Sequence, residues 1–287
     1  MVLNLLADPR AHRTAQERCA LDNASALIEG RPVTRRLFSL YDYRMKEKGR
    51  TIPKRARELI GDLRHLFPEP AALLIMQLAV ANADAKKLPK WRQEQLESLM
   101  TMLGLSATDL EQAYLERRIT KLAWATRNLL ELSVWVDHCN LSDTNARHFR
   151  DDAMRDLYGL SRAVQRSIEV ESSANDSVLE RKLAELATFA QSMGVQALGD
   201  DFTRVSDAAQ ALGRQPAFGS TNKLLSKFAH PTAWAVHTVT SAEADEGYRL
   251  MFLADGVAFA INSLIAIRKF VREYYPQIAM TEKEAAI

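Results

Sequence analysis

The chain has 287 residues, of which 47% are hydrophobic, and its formal net charge at pH 7 is +2. This length permits one large domain or two small ones, and the hydrophobic content is enough for a sizeable core. So small a net charge gives, by itself, no reason to assign a nucleic-acid-binding role.

The composition favours helices throughout. Only 11 Gly and nine Pro interrupt a chain rich in Ala, Leu, Glu and Arg, which are strong helix formers. Runs of β-branched residues of strand length are hard to find. We therefore expect an all-α, multi-helix bundle, with an N-terminal helical region over residues 1–108 and a C-terminal bundle over residues 109–287 that carries the candidate site.

Basic residues are concentrated near the N-terminus. Residues 31–65 contain 11 Lys or Arg and four acidic residues, so this segment carries a charge of +7 and the remainder of the chain −5. Such an asymmetry is compatible with a surface that faces phosphates. It is also compatible with a solvated helical hairpin whose basic residues pair with acidic helices elsewhere, and both interpretations stay open.

Two cysteines and one apolar segment bear on localisation. Cys19 and Cys139 form no CxxC pair, and the N-terminus has no apolar core of signal-peptide length, so we expect a reduced, cytoplasmic protein in which Cys139 is a buried thiol. Residues 251–267 are strongly apolar but include Asp255 and Asn262. That segment is short for a membrane span, which predicts a core or dimer-interface helix and no membrane partner.

Apolar periodicity, with Gly and Pro at the boundaries, places the helices of the N-terminal half. The predicted helices are 11–28, 32–48, 54–66, 71–84 and 89–103. Gly104 is expected to end the last of these. Ser106 is expected to cap the start of a central helix that continues from Asp109 through His138.

The central helix carries a polar stripe on an otherwise apolar surface. Arg127, Glu131 and His138 fall on one face at 100° per residue. A helix that is apolar on nearly every side is normally buried, and polar groups on it must find partners inside the protein. The stripe is therefore the best lead to a functional site.

The C-terminal half holds a second stripe. Helices are predicted over 143–169 and 177–192 and within 199–213, followed by a loop over Arg214–Ser220. Asn222, Ser226 and His230 then recur every four residues on one helix face. Because the residue before a proline avoids helical geometry, the helix should end at His230, where the helix dipole favours a protonated imidazole.

A third stripe lies on the last predicted helix, which runs from about residue 241 to residue 275. Tyr248, Asp255 and Asn262 recur there every seven residues. We expect the three striped helices to pack together. Such a cluster is either a pocket with an acid–base group and an anion-binding Arg or a polar network that specifies the fold.

Two segments carry a resemblance to known proteins: Ala-Thr-Arg-Asn-Leu-Leu-Glu at 125–131 and Lys-Leu-Leu-Ser-Lys-Phe-Ala-His-Pro at 223–231. They resemble uncharacterised bacterial helical families with an Arg-x-x-x-Glu helix and a later Ser-x-x-x-His helix end. Those families look related to HEPN (higher eukaryotes and prokaryotes nucleotide-binding) domains. The resemblance covers about residues 110–275 and matches at Arg127, Glu131, Ser226 and His230.

Active HEPN ribonucleases carry an Arg four to six residues before a His, and the two residues meet at a dimer interface and cleave RNA without a metal. No Arg stands at that distance before any His in this chain, and Lys223, with six residues between it and His230, is the nearest substitute. Lys lacks the bidentate fork of Arg. Whether the protein is an enzyme is therefore left open. If it is one, the resemblance implies a metal-independent ribonuclease.

The resemblance implies an HEPN-like protein that binds RNA or a nucleotide in bacterial stress or phage defence, as a homodimer or with a partner protein. His230 would be the acid–base or phosphate-contacting group, Arg127 and Lys223 anion anchors, and Glu131 and Ser226 orienting groups. The candidate binding set is completed by Asn222, His138, Asp255 and Asn262. No metal or cofactor motif is found. The alternative is a non-enzymatic interaction or accessory subunit whose polar stripes are structural.

Overall fold

The computed structural model describes residues 52–171, 177–195, 198, 202–230, 232–233, 236–237 and 246–278. Within these residues the chain forms helices and no strands, so the predicted all-α fold is confirmed. The helices are α1 Lys54–Leu66, α2 Glu69–Ala85, α3 Lys90–Leu115, α4 Ile119–Leu141, α5 Asp143–Glu171, α6 Ser177–Ser192, α7 Val205–Ala211, α8 Gln215–Ala229 and α9 Glu246–Tyr274.

All these helices belong to one compact unit that begins at Lys54. The predicted helices 11–28 and 32–48, and the basic segment 31–65 up to residue 51, lie outside the described residues. The division into residues 1–108 and 109–287 stays a prediction. Helix α3 is continuous across residue 108.

Helix α4 is the centre of the bundle and packs against α3, α5, α7, α8 and α9. Its buried residues include Leu129 and Val136, which are fully shielded from solvent. The buried Thr126 Oγ1 lies 2.8 Å from the Leu122 carbonyl oxygen of its own helix and 3.0 Å from the Phe252 carbonyl oxygen of α9. The Thr126 hydroxyl thus connects α4 to α9 inside the core.

Helix α9 contains the strongly apolar segment of residues 251–267. Residues 54–85 and α9 are long and apolar enough to cross a membrane by length and composition, which the core helix of a folded domain also satisfies. In this structure α9 packs against α4, α3 and α1. Gly256 allows α9 to lie close to α3, because a Cβ atom at this position would lie 2.7 Å from both Cδ atoms of Leu110 on α3.

The predicted helix end at Gly104, the predicted cap at Ser106 and the predicted loop over residues 214–220 are wrong. The predicted continuous helix from Asp109 through His138 is also wrong, because it is divided between α3 and α4. Gly104 lies inside α3, and the break comes only at residues 116–118, where Arg117 adopts a left-handed φ of 60°. A Gly costs a helix only about 1 kcal/mol, and the buried Leu103 and Leu110 on either side continue the apolar face. The predicted loop over residues 214–220 is likewise helical, because Pro216 occupies the first turn of α8, where its missing N–H is harmless.

Arg92 is fully buried and joins the start of α3 to the end of α4. Its guanidinium donates to the Cys139 carbonyl oxygen at 2.7 Å and lies 4.6 Å from the centre of the Phe270 ring. Burial lowers the pKa of Arg92, and it raises the pKa of the Cys139 thiol to about 12. Cys139 is therefore the buried, unreactive thiol that the sequence predicts.

Candidate anion-binding site

The first two polar stripes meet at Arg127, where α8 packs against α4. The Arg127 Nε donates to Glu131 Oε1 at 2.9 Å and to Asn222 Oδ1 at 2.9 Å. Its Nη1 lies 2.8 Å from His230 Nε2. One guanidinium therefore connects two residues of α8 to the neighbouring carboxylate of its own helix.

This geometry assigns the hydrogen-bonding role of His230. An Arg side chain has only donors, so in this contact His230 Nε2 is the acceptor, a role that the tautomer with its hydrogen on Nδ1 can fill. The three acceptors that face Arg127 are thereby used. The groups left without a partner among the described residues are mainly donors: Nη2 of Arg127, Nδ1–H of His230 and the Asn222 amide NH₂.

Local packing places α8 so that these side chains can meet. Leu225 and Phe228 form its buried face, and the Phe228 ring lies 5.5 Å from that of Tyr248 and 5.0 Å from that of Phe252 on α9. The helix ends at Ala229, as predicted, and His230 is its extended C-cap, with φ −112° and ψ 151°. That change of direction leaves the His230 ring exposed at the surface.

The cluster lies at the surface and carries a positive balance. The Arg127 and Glu131 side chains are 26% and 28% exposed and form an ion pair. Lys223 and Lys227 are exposed and flank Asn222 and Ser226 on α8. Neither lysine forms an ion pair with a residue that the structure describes. Beside a neutralised Arg–Glu pair, they make this surface attractive to anions.

Ser226 and His138 hold other positions. Ser226 lies between Asn222 and His230 on α8, and its carbonyl oxygen accepts the His230 N–H at 3.2 Å. His138 shares the α4 face of Arg127 but lies 11 residues away, about 16 Å along the axis. Helix α5 covers it there, so it is 8% exposed and its Nδ1 has no partner among the described residues. Burial first, and the His148 charge second, lower the pKa of His138.

The third stripe is not drawn into the cluster by any hydrogen bond within the described residues. Tyr248 reaches α8 only through its ring contact with Phe228. Asp255 is half-buried without a hydrogen-bond partner among those residues, and its burial raises its pKa. Asn262 is exposed. Of the three striped helices, two therefore bring polar side chains together.

Sequence reasoning missed a cavity of about 200 Å³ between α3 and the start of α4. Its lining residues are Asp109, Gln112, Ala113, Glu116, Lys121 and Trp124. The residue that could have pointed to this cavity is Trp124. It is a large aromatic residue on a mostly buried helix, yet the structure leaves it 49% exposed. The cavity itself depends on how two helices separate near a turn, which no local pattern encodes.

No family model, curated protein or solved structure matches the chain. In the part of the chain that the structure describes, no group of three or more His, Cys, Asp or Glu residues could hold a metal ion.

Proposed function

We propose that the cluster of Arg127, Asn222 and His230 binds a phosphate group of RNA or of a nucleotide. The observation that carries the proposal is the balance of donors and acceptors. Arg127 engages the acceptors that face it, and the site presents N–H donors to solvent beside two exposed lysines. A phosphate oxygen is the acceptor that such an arrangement recognises best.

The same geometry favours binding over cleavage. A general base needs a free lone pair directed at the substrate, whereas the Nε2 lone pair of His230 is held by Arg127. The Arg expected before a catalytic His is also missing from the sequence. We therefore assign Arg127 and Lys223 as anion anchors, with Glu131 orienting the guanidinium.

The resemblance to HEPN domains supports the wider role. In that wider role, the protein would be an HEPN-like, cytoplasmic component of bacterial stress or phage defence that acts as a homodimer or with a partner protein. The described all-helical bundle is compatible with that family.

The test is the binding of a short fluorescein-labelled single-stranded RNA to the full chain, followed by anisotropy at 50 and 200 mM salt. Arg127→Gln should weaken binding about tenfold, the value of one charge-assisted hydrogen bond. It should also lower the salt slope by about 0.7, the contribution of one phosphate contact on a single strand. Arg181→Gln, at an exposed pair with Glu185 on α6, is the matched control.

Two results would overturn the proposal. One is RNA affinity that is equal in the Arg127 and Arg181 variants. The other is the absence of saturable binding even at 50 mM salt. Cleavage of the RNA without metal, abolished by His230→Ala, would instead establish a ribonuclease.

The alternative function, a non-enzymatic interaction or accessory subunit, has one observation in its favour. Leu73, Met76 and Val80 form an exposed apolar stripe on α2, with exposed fractions of 54%, 42% and 64%. Exposed apolar patches often mark protein contacts. Under this alternative, Met76→Glu changes the mass of the species in solution measured by light scattering, and Arg127→Gln changes only the stability.

A further inference from the structure

The cavity between α3 and α4 lies on the same exposed strip of α4 as the Arg127 cluster. Between residues 121 and 131, the side chains of α4 that are not buried are Lys121, Trp124, Arg127, Asn128 and Glu131. Trp124, which lines the cavity, is one helical turn before Arg127, a separation of about 5–6 Å between Cβ atoms. A ligand that spans one turn of helix can therefore contact both.

The cavity offers a flat aromatic surface of the kind that nucleobases stack on. The Trp124 indole is 49% exposed, and stacking on an exposed aromatic ring is a common means of holding an unpaired base. A volume of about 200 Å³ is below the range of roughly 300–1,000 Å³ for drug-sized ligands. A single base is of the appropriate size, and a longer ligand would extend out of the cavity.

The polar groups of the cavity are mostly acceptors. Gln112 Nε2 donates to Glu116 Oε1 at 2.8 Å, and Lys121 Nζ lies 3.8 Å from Glu116 Oε2. The Asp109 carboxylate has neither a hydrogen bond nor an ion pair among the described residues. Burial raises its pKa, and the charge of Lys121 acts in the opposite direction. Asp109 is exposed, so its carboxylate is an acceptor that a ligand in the cavity can reach.

Among the bases, guanine matches a free carboxylate best. Its Watson–Crick edge places the N1–H and N2–H₂ donors side by side, and a carboxylate can accept two parallel hydrogen bonds. Adenine presents one amino group beside an acceptor nitrogen, which a carboxylate repels. The unpartnered Asp109 therefore favours guanine over adenine.

We propose that this cavity receives the guanine base of a guanosine 5′-phosphate unit, stacked on Trp124 and held by Asp109, while its phosphate lies on the Arg127 cluster. The proposal rests on the proposed phosphate-binding function and adds the identity of the base. The ribose of a 5′-nucleotide separates base and phosphate by a span comparable to one helical turn, so both groups can bind at once.

The experiment compares GMP, IMP and AMP on the full chain by quenching of tryptophan fluorescence and by calorimetry. GMP should bind at least tenfold more tightly than AMP, with IMP between them because it lacks the N2 amino group. Asp109→Asn should reduce the affinity for GMP about tenfold, to the level of AMP. Trp124→Leu should weaken both nucleotides by a similar factor. Glu94→Gln, at an exposed pair with Lys90 on the same helix, is the control that should change nothing.

Guanosine and inorganic phosphate separate this proposal from the function on which it rests. Guanosine binding that depends on Asp109 supports the base cavity even if phosphate does not bind. Phosphate binding that depends on Arg127, without guanosine binding, overturns the base cavity and leaves the proposed function standing. Equal affinity for GMP and AMP, or an unchanged Asp109→Asn variant, also overturns the base assignment. Circular dichroism of each variant verifies the fold, and the conservative Asp109→Asn change gives a result even if Trp124→Leu is unstable.

Discussion

Arg127→Ala should lower the free energy of unfolding by about 1–3 kcal/mol and leave the protein folded. The substitution removes the donor for Glu131, Asn222 and His230, at 2.9, 2.9 and 2.8 Å. Hydrogen bonds to charged groups are worth about 1.5–3 kcal/mol each when buried. The Arg127 and Glu131 side chains are 26% and 28% exposed, so solvent reduces these values, and an i,i+4 ion pair contributes only about 0.3–0.5 kcal/mol at a surface.

Urea unfolding at pH 7, followed by circular dichroism and tryptophan fluorescence, measures this loss. A domain with about 5–15 kcal/mol of stability tolerates it. Arg181→Ala, whose partner Glu185 is 53% exposed, should change stability by less than about 0.5 kcal/mol. A loss of more than about 4 kcal/mol for Arg127→Ala, or a chain that no longer folds, would refute the reasoning. It would show that the cluster is part of the core, as the structural alternative requires.

Three further predictions concern stability. Burial raises the pKa of Asp255, so the fold favours the neutral carboxyl and stability is lost as pH rises through the folded pKa. In urea unfolding at pH 7, Asp255→Asn should therefore be about 0.5–1 kcal/mol more stable than wild type, and this gain should vanish in acid. The pKa of His138 is lowered, so stability should fall by about 1 kcal/mol as pH drops from 7 to 5, and His138→Gln should lose this dependence in melts across that range. Gly256→Ala should lower the free energy of unfolding by about 1–2 kcal/mol, because overpacking against the buried Leu110 outweighs the helix propensity of Ala. Gly61 has open space around it, so Gly61→Ala should raise the free energy of unfolding by up to about 1 kcal/mol in the same assay.

Local geometry accounts for what the sequence predicts well. The spacing of Arg127 and Glu131, and of Asn222, Ser226 and His230, determines which side chains share a helix face, because a helix repeats every 3.6 residues. The proline after His230 likewise makes the end of α8 readable from the sequence. These features need no knowledge of how the helices pack, and the structure reproduces them.

Packing between helices accounts for what the sequence does not show. His138 has the same helical phase as Arg127, yet α5 buries His138 and leaves Arg127 partly exposed. Gly104 reads as a helix end, but its helix continues because flanking leucines are buried against neighbouring helices. The exposure of Trp124 depends on the gap between α3 and α4. Each outcome is decided by residues distant in sequence.

The partial exposure of the Arg127 cluster separates the two interpretations of its polar groups. A buried polar network specifies a fold because an unpaired member is costly in a low dielectric, and Arg92, fully shielded beside Cys139, is such a case. At Arg127 water can replace a lost partner, so the arrangement stabilises the fold less than a fully buried network would. The hydrogen bonds there instead hold the guanidinium and the His230 ring in one orientation. Under the proposed function, this fixed orientation at a solvent-facing surface serves a ligand, and the donors without a partner among the described residues would favour an anion.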